Sequence, residues 1–344
     1  RRLNGALVLR SPALRLKARG IVDLGANRFE GLRVDARLVR PEALFRNMSG
    51  QAIGMTLRLD GAFDRAAFDY RLAATRFAFD QTGFEQAVAA GKGRLQGRWP
   101  LTLPVRFTAT RVTGVGEAPG GILHRLTAAG DLRITPRAIM GQGLALRSDK
   151  LAGRLNLRID LTNGRYDVGL DGALQRYLIP GLGIVDVKSR LSAVPGPDGH
   201  GTRVVGHGEA QVRRLDNAFL RSLAGGLPHL TTDLERRADG VFHFRRLVLS
   251  GPDIRLTGEA IRRRDGTFRF VGGGRQRRYG PVQMVLDGRI DKPTLDLQLA
   301  SPNAAMGLGD VRAHLDPTDQ GFAYRAAGDS RLGPFQASGA ILLP

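Results

Sequence analysis

Between residues 242 and 339 the chain states one short pattern three times. An aromatic pair one residue apart is followed nine to twelve positions later by Gly-Pro, then by an alternating apolar run that stops at Gly. The copies are Phe242, Phe244, Gly251-Pro252, Ile254, Leu256, Gly258; Phe268, Phe270, Gly280-Pro281, Val282, Met284, Gly288; and Phe322, Tyr324, Gly333-Pro334, Phe335, Gly339. Residues two apart share one face of a strand, and Gly-Pro marks a turn. Each copy therefore reads as two half-buried strands and their link, with one apolar face that something must cover.

The same alternation runs through most of the chain, as in Leu14 to Gly20, Leu32 to Leu38, Met55 to Gly61, Leu151 to Leu161 and Val204 to Val212. The parity slips between Leu72 and Phe77, which predicts a bulge. Short links such as Thr162-Asn163-Gly164 and Arg264-Asp265-Gly266 predict an antiparallel meander. Three short helices are expected over Pro41 to Met48, Thr82 to Gly91 and Asn217 to Leu223, the last capped by Asp216 and stopped at Gly225, as plugs over a sheet face or end. The Pro/Gly run Val194 to Gly201 reads as a long hairpin loop, so residues 1–344 form a single elongated β-repeat segment with no internal boundary. The expected fold is all-β, an elongated, curled antiparallel β-sheet of roughly twenty strands and on the order of 100 Å long.

Net charge is +20, and only five of the 52 basic residues are Lys. Most Arg alternate with apolar residues, which places them on the wet face of strands and makes the charge a solvated face with nonspecific anion affinity. Denser groups stand at Arg262-Arg263-Arg264 and at Arg275, Arg277 and Arg278. The absence of Cys removes thiol and disulfide chemistry. Six scattered His form no zinc set, although His200 and His207 flank one strand start. Gly272-Gly273-Gly274 lacks the helix of a phosphate loop, and neither Asp60 with Asp64 nor Asp167 with Asp171 marks a glycosidase pair. No catalytic residue, metal or cofactor is expected, and the chain does not read as an enzyme.

The strand ends Leu57-Arg58-Leu59-Asp60-Gly61, Ile254-Arg255-Leu256-Thr257-Gly258 and Val285-Leu286-Asp287-Gly288, with the tract from Gly240 to Pro317, resemble the AsmA-like family of envelope proteins in diderm bacteria, and within it the TamB group. The resemblance implies a taco-shaped β-groove in the periplasm, carrying phospholipid between inner and outer membranes or supporting outer-membrane protein assembly with a TamA-like barrel partner. It also implies that the inner-membrane anchor, the C-terminal signature domain and the segment meeting that partner lie outside these residues. On this reading phospholipid acyl chains lie along Leu155, Leu157, Ile159, Leu161, Ile254, Leu256, Phe268, Phe270, Leu295 and Leu297. Two other readings fit the residues: a dry envelope scaffold whose edges pair with client β-strands, and a polyanion or nucleic-acid binder. For the last, specific nucleic-acid recognition is not expected, because the alternation puts Arg245 and Arg269 on the face opposite the aromatics.

Overall fold

The computed structural model describes residues 2–342 apart from 81, 115–122, 180–181, 197–201, 217, 238 and 304. The chain is all-β, an antiparallel meander of 23 strands among the described residues. It divides into two compact units: residues 1–172 with 192–203, and residues 173–191 with 204–344. The Pro/Gly loop tip and His200 lie outside the described residues.

Unit 1 holds β1 (Arg2–Arg10), β2 (Leu14–Asp23), β3 (Arg28–Leu38), β4 (Met48–Gln51), β5 (Ile53–Ala62), β6 (Ala67–Phe79), β7 (Thr82–Arg94), β8 (Leu101–Thr113), β9 (His124–Ile134), β10 (Ala138–Arg147) and β11 (Leu151–Asp160). Three further strands, β12 (Tyr166–Ile179), β13 (Gly183–Pro195) and β14 (Thr202–Leu215), have residues in both units. Unit 2 continues with helix α1 (Ala218–Ala224) and β15 (His229–Arg236), β16 (Phe242–Ser250), β17 (Ile254–Arg262), β18 (Phe268–Gln276), β19 (Gly280–Gly288), β20 (Pro293–Leu299), β21 (Gly309–Thr318), β22 (Gly321–Ser330) and β23 (Gly333–Leu342). Each copy of the repeat is one pair of successive strands: β16 with β17, β18 with β19, and β22 with β23.

Two of the three expected helices are corrected. Thr82 to Gly91 is strand β7, paired along its length with β6. The capping-box spacing there is coincidental, because Phe84 gains more from stacking on Phe77 at 6.0 Å and meeting Phe107 edge-on at 5.4 Å than a lone short helix could supply. Pro41 to Met48 supplies only a 3-10 turn, Pro41–Ala43, after which Met48 joins the sheet opposite Phe79. The third is real. Helix α1 ends at Gly225, whose φ is +68°, while the Asp216 carboxylate binds Arg214 at 2.7 Å.

The bulge expected between Leu72 and Phe77 is corrected: the strand is irregular there, but one residue drops out of the pairing on each strand and the register is the same on both sides. The β6–β7 ladder skips Thr75 and Gln86, and Gln86 has φ +48°. On the other side of β6, Ala52 at φ +53° breaks one extended segment into β4 and β5. At three left-handed residues elsewhere, two of them at register-shifted bulges, the freed N–H donates to a side-chain oxygen on the next strand. Gly31 N–H meets Asp60 Oδ1 at 2.9 Å, Gly143 N–H meets Asn156 Oδ1 at 2.9 Å, and Arg176 N–H meets Asp186 Oδ1 at 2.8 Å. Such bulges bend and twist the strands they interrupt.

In unit 2 a buried core forms on one face, with Ile254, Leu256, Val282, Met284, Leu295, Leu315 and Phe322. A flat single layer would leave that face wet, so Leu295 at 1% exposure means that the unit 2 sheet curls over it. Helix α1 closes one strand end, adding Leu223 and Ala224 to the core. Gln276 Nε2 donates to Leu223 O, and Asp253 N–H to Ala224 O. In unit 1 the buried positions on the apolar face gather around Phe68, Tyr70, Ala87 and Ala109. The Tyr70 hydroxyl donates to Pro104 O at 2.9 Å, and burial pushes its pKa up to about 12.

Candidate functional site

Strand register assigns every alternating residue to a face. In unit 1, Leu9 lies opposite Leu16, Leu16 opposite Ala36, and Ala36 opposite Met55; one row on, Leu7, Ala18, Val34 and Leu57 line up in the same way. These rows, with Leu14, Leu32, Leu38 and Leu59, make one apolar face across β1, β2, β3 and β5. None of these side chains is buried. Leu7 is 61% exposed and Leu9 47%, although each sits in a regular strand. Leu14, Leu16, Ala18, Leu32, Val34, Ala36, Leu38, Met55, Leu57 and Leu59 are half-buried, so this apolar face is only partly covered by the chain and is a candidate binding surface.

The ten residues expected to line a groove fall in two groups. In unit 1, Leu155 faces Leu144, Leu157 faces Gly141 and Ile159 faces Ile139, all half-buried; Leu161 lies in the turn after β11 and is also half-buried. In unit 2 the other six share one face. Leu256 leads through Gly274 to Val282, and Phe270 through Leu286 to Leu295, with Leu297 beside Met284. Ile254, Leu256 and Leu295 are covered by protein, at 4%, 5% and 1% exposure, whereas Phe268, Phe270 and Leu297 keep part of their surface. Sequence reasoning left out the apolar face of β1, β2, β3 and β5. Its signal was the same alternation, but exposure depends on how far the sheet curls, and alternation carries no record of that.

The opposite face is polar and exposed. In unit 1 the register sets Arg19 opposite Arg33 and Arg33 opposite Arg58, then Asp69 and Lys92, so like charges are directly opposed. A hollow of about 690 Å³ lies there, lined by Arg33, Arg58, Asp69, Lys92 and Arg94 among others. In unit 2 a hollow of about 790 Å³ is lined by Gln283, Asp296, Gln298, Arg312, His314 and Arg325 among others. His314 is held between two carboxylates, Asp296 at 2.6 Å and Asp316 at 3.1 Å, and the Asp296 contact leads in raising its pKa above the usual 6.5. A His whose folded pKa is raised stabilises the fold fully below pH 6.5 and loses that contribution as pH rises through the folded value. The urea midpoint of the wild type should therefore fall relative to that of His314→Gln as pH goes from 6 to 9; parallel curves would remove this ion pair from the account.

The dense basic groups disperse. Arg263 pairs with Asp287 at 2.8 Å, and together with Arg269 it holds that carboxyl down to about 2. Arg264 is exposed, Arg277 meets Asp253 at 3.6 Å, and Arg278 lies over the Tyr279 ring. The three glycines at 272–274 serve close strand approach, since a Cβ on Gly274 would stand 1.9 Å from Arg255 O. His207 bonds Asp233 at 3.0 Å. Among the described residues no group of three or more His, Asp or Glu could hold a metal ion, and no helix is long and apolar enough to cross a membrane.

No protein-family profile, curated protein or solved structure matches this chain. The site therefore rests on its own geometry.

Proposed function

We propose that the chain is a non-enzymatic lipid carrier of the diderm envelope, working in the periplasm and holding phospholipid acyl chains along its apolar sheet face. The observation that carries this reading is the apolar face of β1, β2, β3 and β5, where rows of Leu, Val and Met in well-formed strands are half-buried or exposed and none is fully covered by the chain. Burying a methylene contributes about 0.8 kcal/mol, so a sixteen-carbon chain fully covered by such a face would gain on the order of 12 kcal/mol before ordering costs. The polar face would remain in water. Transport between the inner and outer membranes, with anchoring by a segment outside these residues, belongs to the same proposal.

Mass spectrometry of the protein purified without delipidation tests it. Co-purifying diacyl phospholipid in stoichiometric amount is expected; lipid-free protein would count against it.

A second reading has its own support. The core of unit 2 is filled by its own side chains. An uncovered strand can pair with a client strand, as in outer-membrane protein assembly with a barrel partner. Lipid-free protein that captures an extended β-strand peptide would favour this scaffold.

A further inference from the structure

The register of unit 2 lines up Arg236, Phe242, Arg262 and Phe268 across four neighbouring strands, each directly opposite the next. The Arg262 guanidinium carbon stands 6.0 Å from the Phe242 ring centre and 5.8 Å from that of Phe268, and the Arg236 carbon stands 5.9 Å from Phe242. All four lie on the apolar face, since the next row inward is Leu234, Phe244, Ala260, Phe270 and Leu286. The row is also the last before the turns joining β15 to β16 and β17 to β18, at the opposite strand end from helix α1. Arg262 is half-buried and forms no ion pair among the described residues, while its neighbour Arg263 is committed to Asp287.

We propose that this row seats the phosphate of an anionic phospholipid whose acyl chains run inward over Phe244, Phe270 and Leu286. The inference rests on the lipid-carrier reading, extended from the β1 to β5 face to the half-buried apolar positions of unit 2, and adds where a headgroup sits there. The Arg262 guanidinium, held between two aromatic rings, keeps its N–H fork for a phosphate, and Arg is the side chain suited to that bidentate contact. Rows two residues apart are separated by about 7 Å, so charge gives way to hydrocarbon within the depth of a headgroup. The carboxylates nearby are otherwise engaged: Asp265 takes Thr267, and Asp239 accepts from Val241 N–H. Nucleic-acid stacking is the poorer fit. The ring faces are shared by guanidinium groups, and Phe242 stacks on Phe244 at 6.4 Å.

The test compares binding of dioleoyl phosphatidylglycerol and dioleoylglycerol, which differ by the phosphate headgroup, to the full chain and its Arg262→Gln and Arg262→Lys variants. Arg262→Gln should weaken phosphatidylglycerol about tenfold and leave dioleoylglycerol unchanged, with Arg262→Lys in between. Unchanged dioleoylglycerol binding also shows that the variant is folded. Equal loss of both lipids, or no loss of either, overturns the headgroup seat and leaves the carrier reading standing. A wild-type protein that binds neither lipid overturns both. Glycerol phosphate is the arm for a free anion, and a thymidine oligonucleotide at physiological salt is the arm for nucleic acid. Micromolar binding of either that Arg262→Gln abolishes, with phosphatidylglycerol binding intact, also overturns the seat.

Discussion

Leu256→Asp should unfold unit 2 at temperatures the wild type tolerates, while Leu157→Asp should leave the fold in place. The two leucines look alike in sequence, each second in an apolar-x-Leu pair with Arg beside it, Ile254-Arg255-Leu256 and Leu155-Asn156-Leu157-Arg158. Leu256 is 5% exposed and packs in the core with Val282, Leu295 and Phe322. A carboxylate there meets no donor and no water, at a cost on the order of 5 kcal/mol once the lost packing is included. For a unit of this size that lowers the unfolding midpoint by about 10 °C or more. Leu157 is half-buried opposite Gly141, so its carboxylate reaches water and the effect on stability should stay near 1 kcal/mol. The carrier reading adds that Leu157→Asp retains less lipid when purified. Thermal unfolding of the two variants side by side is the check, and equal destabilisation would mean that β11 belongs to a closed core.

Gly91→Val should be nearly as damaging, although no side chain is lost. A Cβ at position 91 would lie 1.8 Å from Pro104 O and 2.8 Å from the Tyr70 ring. Backbone cannot give way as a flexible side chain does, so β7 and β8 must separate and the Tyr70 hydroxyl bond to Pro104 O must stretch with them. The expected loss is about 3 kcal/mol, from overpacking together with one part-buried hydrogen bond. The Tyr70 pKa should fall from about 12 toward 10 as water enters, and absorbance titration of the phenolate reads that directly. A variant with wild-type stability and an unmoved phenolate would show that the two strands have room to spare.

What the residues disclosed, and what they hid, follows from the range of each interaction. Period-two alternation is local, so the strands, the aromatic repeat and the irregularity near Thr75 were legible from neighbours in sequence. The helix expected at Thr82 failed because capping-box spacing is also local, whereas the deciding contacts, Phe84 with Phe77 and Phe107, come from other strands. Faces were legible and their covering was not: Ile254 and Ile159 alternate identically, yet one is sealed by curl and a helix while the other keeps surface. The Arg262 row was hidden for a related reason. Within a strand, Arg269 does stand opposite Phe268 and Phe270, as alternation requires. The guanidinium that reaches the Phe268 ring belongs to the neighbouring strand, and only the register between strands brings it there.

The central claim is that lipid occupies the apolar face of β1, β2, β3 and β5. A photoreactive residue placed singly at Leu57, on that face, or at Leu157, on the half-buried apolar side of β11, and at Arg58 or Arg158, on the polar side one residue away, would report it by crosslinking in cells. Phospholipid adducts at Leu57 and Leu157, with none at Arg58 or Arg158, are the expected result. Adducts absent from both leucines, or equal on the two faces, would contradict the account.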